Sequence, residues 1–421
     1  MPHFAKPAEG SWTEHYPELG TGPVDYTDSI DPSYYEAERA AIFKKTWLNV
    51  GRAEQVSKTG SYFTKELAVA DTSLIIVRGK DGQIRAFHNQ CRHRGNKLVW
   101  NDYPGEEVKG TCRQFTCKYH AWRYALDGEL TFIQQESEFF GVDKSAYGLK
   151  AVRCEIWEGF IFVNLDPHAQ PLVDYLGELA KGVEGYPFHE MTEVFTYKAE
   201  VGSNWKLFID AFTEFYHAPV LHQKQAVKSE ADKLLHYGYE GLHYELYSPH
   251  AMLSSWGGMS PPKDLNMVKP IERVLHSGLN GPWKRPAISG LDTLPSGLNP
   301  AQHRAWGMDS FHFYPNFMIL IYAPGWYLTY HYWPTAVDRH LFEGSLYFVP
   351  AKTAGERLAH ELTAVTFKEY ALQDGNTLEA TQSMLKSRVV TEFPLCDQEI
   401  LLRHLHKVTA GYVKNYARAA R

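Results

Sequence analysis

Two short pairs of metal-binding side chains, Cys91-Arg92-His93 and Cys117-Lys118-Tyr119-His120, lie 23 residues apart. Two thiolates and two imidazoles suit a tetrahedral zinc site. They equally suit a [2Fe–2S] cluster with cysteines on one iron and histidines on the other. In the second case neutral imidazoles replace two thiolates, which removes negative charge and raises the reduction potential. The spacing leaves both open. Cys112 competes as a ligand through Cys112-x4-Cys117, but that pairing would strand Cys91. Cys154 and Cys396 read as packed thiols.

The rest of the chain narrows the context. Its 421 residues suggest two or three domains and a core that needs no disulfides. Five cysteines are too few, and odd in number, for a secreted disulfide framework. The formal net charge of −6 argues against a nucleic-acid binder. With 22% charged and 14% aromatic residues, the composition is that of a folded chain. The first residues lack the apolar core of a secretory signal. No apolar run approaches the length of a membrane span, the nearest being residues 317–323. We therefore expect a soluble, cytoplasmic, reduced protein.

Local patterns divide the chain. The first 30 or so residues, rich in Gly, Pro and Asp, read as an extended arm, and Asp31-Pro32 starts a helix with Tyr35, Ile42 and Phe43 on its apolar face. From Trp47 onward short β-type runs alternate with turns: 73–78 and 84–88 around Asp81-Gly82, 122–126 and 130–133 around Asp127-Gly128, then one strand over 156–165. Helices are expected over 172–184, 204–217, 354–386 and 397–417, and strands over 311–332 and 340–349. The stretch 222–305, rich in Gly, Pro and Ser, reads as long loops.

A second dense segment is Asn204-Trp-Lys-Leu-Phe-Ile-Asp-Ala-Phe-Thr-Glu-Phe-Tyr-His-Ala-Pro-Val-Leu-His222. On one helix Asp210, Glu214 and His217 would share a stripe, and a bend at Pro219 would turn His222 toward them. Two imidazoles and a carboxylate with open positions form the facial triad of non-haem Fe(II) oxygenases. The bland alternative is an amphipathic core helix with satisfied histidines.

Cys91-Arg-His-Arg-Gly95 and Cys117-Lys-Tyr-His-Ala-Trp122 resemble the cluster loops of Rieske non-haem iron oxygenases, the aromatic-ring-hydroxylating oxygenase alpha subunits. Asn-Trp-Lys, an acid, then Tyr-His-x4-His resembles the catalytic-iron segment of the same family, and the motifs stand in its order. Lys118 departs from a common Pro, Ala121 from a common Gly, and the segment containing 102–105 is longer than usual. The resemblance, from about Trp47 to Gln382, implies an α+β fold: an antiparallel β Rieske domain (47–166) and a larger catalytic domain (167–421), an antiparallel sheet flanked by helices. Residues 1–46 would be an arm and helix packing on the catalytic domain.

By the same resemblance Cys91, His93, Cys117 and His120 hold a [2Fe–2S] cluster, and His217 and His222 hold mononuclear Fe2+. Asp374, in Gln373-Asp374-Gly-Asn-Thr-Leu-Glu379, supplies the third ligand, with Glu379 as the competing choice. Glu214 stands at the family's electron-bridging carboxylate, usually Asp, and Asp210 either orients a ligand or is a solvated Asp. The reaction would use O2 and electrons from NAD(P)H through a separate reductase, with or without a ferredoxin, since this chain has no G-x-G-x-x-G motif. A homotrimer is implied, with or without a beta subunit, acting on a small apolar or aromatic substrate and not on nucleic acid or membrane. Phe208, Phe212, Phe215, Phe311 and Phe317 are candidate pocket walls. Lys224, Lys228, Arg304 and Arg339 are candidate carboxylate anchors, more simply read as solvated surface. The competing functions are an electron-transfer protein without oxygenase activity and a zinc protein.

Overall fold

The computed structural model describes residues 11–222, 241–256, 265–278, 281–303 and 306–419. Lys224, Lys228 and Arg304 lie outside the described residues, whereas Arg339 is exposed at the start of a strand. The chain forms two compact units, one of residues 39–175 and one of residues 1–38 with 176–421. Residues 39–46 thus pack with the first of these units, and 167–175 do as well.

The 39–175 unit is built on a seven-stranded antiparallel sheet, in the order Leu48–Arg52, Phe160–Asn164, Ala151–Trp157, Ile84–His88, Thr72–Arg78, Ser61–Leu67, Lys109–Thr111. A smaller sheet joins Phe115–Thr116, Arg123–Tyr124 and Leu130–Phe132. The expected hairpin at Asp81-Gly82 forms, with Ile75 opposite Phe87 and Gly82 at φ 82°. The single strand expected over 156–165 is instead a hairpin. Glu158 and Gly159 adopt φ of 46° and 78°, and the chain reverses so that Trp157 faces Phe160.

The other unit carries a second seven-stranded antiparallel sheet: Glu193–Val201, Arg339–Phe348, Trp326–Ala336, Phe317–Tyr322, Trp306–Phe313, His250–Trp256, Gly241–Tyr247. Exposure alternates along the edge strand Glu193–Val201, while Phe317–Tyr322 is buried throughout, as a central strand covered on both faces must be. The last two strands fall where long loops were expected. Their rings meet partners distant in sequence that no local pattern announces, Tyr244 packing on Trp12 and His250 on Phe313.

The helix Ala354–Leu385 packs against the edge strand and the short helix Trp205–Phe212. It begins with a capping box, Glu356 N donating to Thr353 Oγ1 at 3.2 Å and Thr353 N to Glu356 Oε2 at 3.1 Å. The N-terminal arm is tied to the far end of the chain, Val24–Asp25 pairing with Glu392–Phe393. No helix among the described residues is long and apolar enough to cross a membrane.

Candidate metal centres

The first cysteine–histidine pair follows the strand Ile84–His88, in a loop closed by the bridge between Gln90 and Lys97. The second caps the hairpin Phe115–Thr116/Arg123–Tyr124. Each loop folds back on its cysteine: Gly95 N donates to Cys91 O, and Ala121 N to Cys117 O. Gly95 and Ala121 take φ of 75° and 57° to do so. The turn needs the left-handed region, which Gly enters freely and Ala only with strain. Lys118, where Pro is common, reaches Trp100 O at 2.7 Å and so fastens this loop to the preceding segment.

Both thiols are buried, and that of Cys91 lies against that of Cys117. Burial pushes the Cys91 thiol up. The Tyr124 hydroxyl stands 3.3 Å from Cys91 Sγ and accepts from Arg92 N at 2.9 Å. The rings of His93 and His120 meet with centroids 4.6 Å apart, and His93 stacks on Trp122 at 5.0 Å. Burial, then the neighbouring His120 and Arg94, pull the His93 pKa down, and its Nδ1 is buried without a hydrogen bond. Two buried thiols and an orphaned imidazole nitrogen fit a cluster that takes sulfur from one side and nitrogen from the other.

The second centre departs from the single-helix expectation. Asn204 caps the helix Trp205–Phe212, its side chain accepting from Lys206 N at 3.0 Å, and the helix stops at Phe212. Glu214 and His217 lie beyond that end, so Asp210, Glu214 and His217 do not form a helical stripe. A four-residue helix, Ala218–Leu221, follows, with His217 before it and His222 after it. Pro219 is the second residue of this helix, within the first turn, where its missing N–H costs nothing.

The two imidazoles converge, His217 Nε2 lying 3.2 Å from His222 Nε2. Asp374, from the middle of the helix Ala354–Leu385, completes the group: its Oδ1 is 3.6 Å from His217 Nε2 and 3.4 Å from His222 Nε2. These three atoms form a group able to hold a metal ion. Asp374 is 2% exposed, and its Oδ1 makes no hydrogen bond. A buried carboxylate oxygen in that state calls for a cation. Donors at about 2.1 Å from one ion are themselves separated by about 3–3.5 Å, close to the 3.2, 3.4 and 3.6 Å found.

Each histidine turns its other nitrogen to an orienting group, which fixes Nε2 toward the shared point. His217 Nδ1 meets Glu214 Oε1, and His217 N donates to Glu214 Oε2 at 3.2 Å. His222 Nδ1 lies 2.8 Å from Gln373 Oε1. Gln373 was not foreseen as a site residue, although its place beside Asp374 on the same helix was the available clue. Glu379 accepts from Gly202 N at 2.8 Å, away from the group.

A cavity of about 330 Å³ adjoins this site, lined by Asp210, Glu214, His217 and Asp374 with Leu207 and Leu378 among the apolar walls. None of the five phenylalanines lines it. Phe208 packs on Tyr332, His340 and Phe342, and Phe212 on Tyr330 and Phe342. Phe215 joins the Tyr244–Leu253 cluster, Phe317 stacks on His331, and Phe311 is buried in the sheet.

Comparison with known proteins follows the same division. The Rieske [2Fe-2S] domain model matches residues 46–149, and the model of the ring hydroxylating alpha subunit (catalytic domain) matches residues 188–415. The chain belongs to the ring-hydroxylating alpha-subunit family. It therefore carries a Rieske [2Fe–2S] cluster and mononuclear iron as its cofactors.

Among relatives of this alpha subunit, the carnitine monooxygenase oxygenase subunit of Escherichia coli (strain K12) is 31% identical over 223 residues, 52% of this chain and 58% of that one. The glycine betaine monooxygenase oxygenase subunit of Chromohalobacter salexigens is 35% identical over 193 residues, 46% of this chain and 41% of that one. The chain thus spans about half the length of the curated relatives it matches. A solved quaternary ammonium Rieske monooxygenase shares the fold, with a TM-score of 0.72 at 19% identity over 93% of this chain and 95% of that one. Naphthalene 1,2-dioxygenase from Rhodococcus sp. does likewise, with 0.71 at 20% over 93% and 94%.

Proposed function

We propose that the chain is the oxygenase component of a Rieske-type system. It would hydroxylate a small apolar, aromatic or N-alkyl substrate with O2, two electrons and two protons, by mono- or dioxygenation or by oxidative dealkylation. His217, His222 and Asp374 hold Fe2+, and Cys91, His93, Cys117 and His120 hold the cluster. Glu214 carries electrons toward His217. The observation that carries this reading is the convergence of His217 Nε2, His222 Nε2 and the unpaired Asp374 Oδ1 on one point. When bound, the iron supplies oxygen activation and the cluster supplies single electrons.

The protein's own groups do the rest. Glu214 and Gln373 hold the two imidazoles with Nε2 inward. An electron-transfer protein would need only the Cys91–His120 loops and leaves His217, His222 and Asp374 without work. The electrons come from NAD(P)H through a separate reductase, with or without a ferredoxin. The assembly is a homotrimer, with or without a beta subunit, in the cytoplasm.

The deciding experiment is oxygen uptake with a reductase, with mass analysis of products. Carnitine, glycine betaine and methanesulfonate, named for the relatives, are tested beside aromatic acids and hydrocarbons. Cys91→Ala should bleach the visible cluster spectrum. His217→Ala should abolish iron binding and oxygenation while leaving that spectrum intact. Retained iron in the second variant overturns the ligand assignment.

A further inference from the structure

Lys206 and Asp210 lie one turn apart on the helix Trp205–Phe212, and both are buried. Lys206 Nζ is 2.5 Å from Glu38 Oε1 and 3.6 Å from Asp28 Oδ2. Asp210 Oδ2 accepts from the Tyr26 hydroxyl at 2.9 Å and lies 3.1 Å from His406 Nε2. The other nitrogen of His406, Nδ1, is 3.7 Å from Asp28 Oδ2. Charge therefore alternates around a closed ring: Lys206, Asp28, His406, Asp210 and back along the helix to Lys206. The ring joins three distant stretches of sequence, the N-terminal arm, the iron-bearing segment and the C-terminal helix Ile400–Ala419.

We propose that His406 is a positioning residue for the iron site, a buried cation that clamps the end of the helix from which Glu214 and His217 follow. The proposal rests on reading His217, His222 and Asp374 as iron ligands. Asp210 faces the same cavity as Glu214 and His217, and its Oδ1 has no hydrogen bond. A buried charge deprived of its partner is strongly destabilising, so loss of the imidazolium would unsettle Asp210 and the helix end with it.

The groups facing His406 are Asp210 and Lys206 from the helix Trp205–Phe212, and Asp28 and Tyr26 from the arm. Glu399, just before its own helix, acts electrostatically on Tyr26 and Asp210. Burial alone would lower the His406 pKa, but Asp210 and Asp28 outweigh it and raise it to about 9. The clamp is thus charged at neutral pH and released as the pH rises through that value.

The test is Fe(II) affinity by chelator competition, on full-length protein with its cluster in place, at pH 7 and pH 10. H406Q should bind Fe(II) about tenfold more weakly than the wild type at pH 7 with an unchanged cluster spectrum. By pH 10 the two should bind equally. Equal affinity at pH 7, or a constant ratio at both pH values, overturns the proposal. Should H406Q not accumulate as folded protein, D28N is measured instead. Removing that carboxylate should move the alkaline loss of affinity down by about one pH unit, and an unmoved midpoint overturns the proposal. A wild type that binds no Fe(II) would instead overturn the ligand assignment itself.

Discussion

Gln373 Oε1 stands 2.8 Å from Nδ1 of His222, while the next residue, Asp374, brings its Oδ1 to 3.4 Å from the other nitrogen of the same ring. One helix therefore supplies both the carboxylate oxygen of the candidate metal group and the acceptor that sets the tautomer of a facing histidine. Gln373→Leu should weaken Fe(II) binding by about 10- to 100-fold, since orienting partners of ligating histidines are worth about that much. Chelator competition reads it. Affinity equal to the wild type would remove Gln373 from the site.

Glu214 meets His217 at both its ring and its backbone nitrogen. Glu214→Gln keeps a side chain of the same length but removes the charge. Iron occupancy should stay near the wild-type level, while single-turnover reoxidation of the reduced cluster under O2 with substrate should slow by at least about tenfold, the low end of what loss of a partner of a ligating histidine costs. Unchanged reoxidation would reject the bridging role.

Ala121 holds a left-handed conformation at φ 57°, in a loop that keeps Cys117 in place. Ala121→Gly should remove strain of about 1 kcal/mol and raise the urea midpoint of the Rieske unit, because the left-handed region costs an alanine about 1–2 kcal/mol. A lowered midpoint would mean that the methyl group packs usefully there.

Stability should fall on the alkaline side through His406. Its folded pKa, about 9, is above the ordinary histidine value. Its contribution is therefore fully present below about pH 6.5 and lost as the pH rises toward 9. The raised pKa corresponds to about 3 kcal/mol at most. Urea unfolding of the full chain between pH 6 and pH 10 should show this decline, and H406Q should lack it.

The candidate ligand clusters were legible because ligation demands particular side chains at short spacings. Cys91-x-His93, Cys117-x-x-His120 and His217-x4-His222 each occupy a single loop or turn, so local sequence carries them. The end of the helix Trp205–Phe212 was not legible. Asp210, Glu214 and His217 fit a helical stripe on paper, but the chain leaves the helix after Phe212 to bring His217 and His222 together. Pro219 marked the break and was read as a bend beyond a helix ending at His217, whereas it belongs to a second short helix, Ala218–Leu221. The strands Gly241–Tyr247 and His250–Trp256 were missed for the opposite reason: they form a hairpin whose inner strand, His250–Trp256, is held by a strand some fifty residues on, Trp306–Phe313. His406 gave no signal at all. A lone histidine on a helix acquires meaning only when Asp28 and Asp210 arrive from elsewhere in the chain.

The pairing of Val24–Asp25 with Glu392–Phe393 has a consequence for biosynthesis. The 39–175 unit is continuous in sequence and can finish folding while the ribosome is still at work. The catalytic unit is interrupted by it and must hold its first forty or so residues in waiting until the last helix emerges. Cluster insertion can thus precede synthesis of Glu392–Phe393, whereas the unit with the candidate iron site closes only once that strand has emerged. Ribosome-bound chains halted before residue 390 should accept a cluster and reject iron.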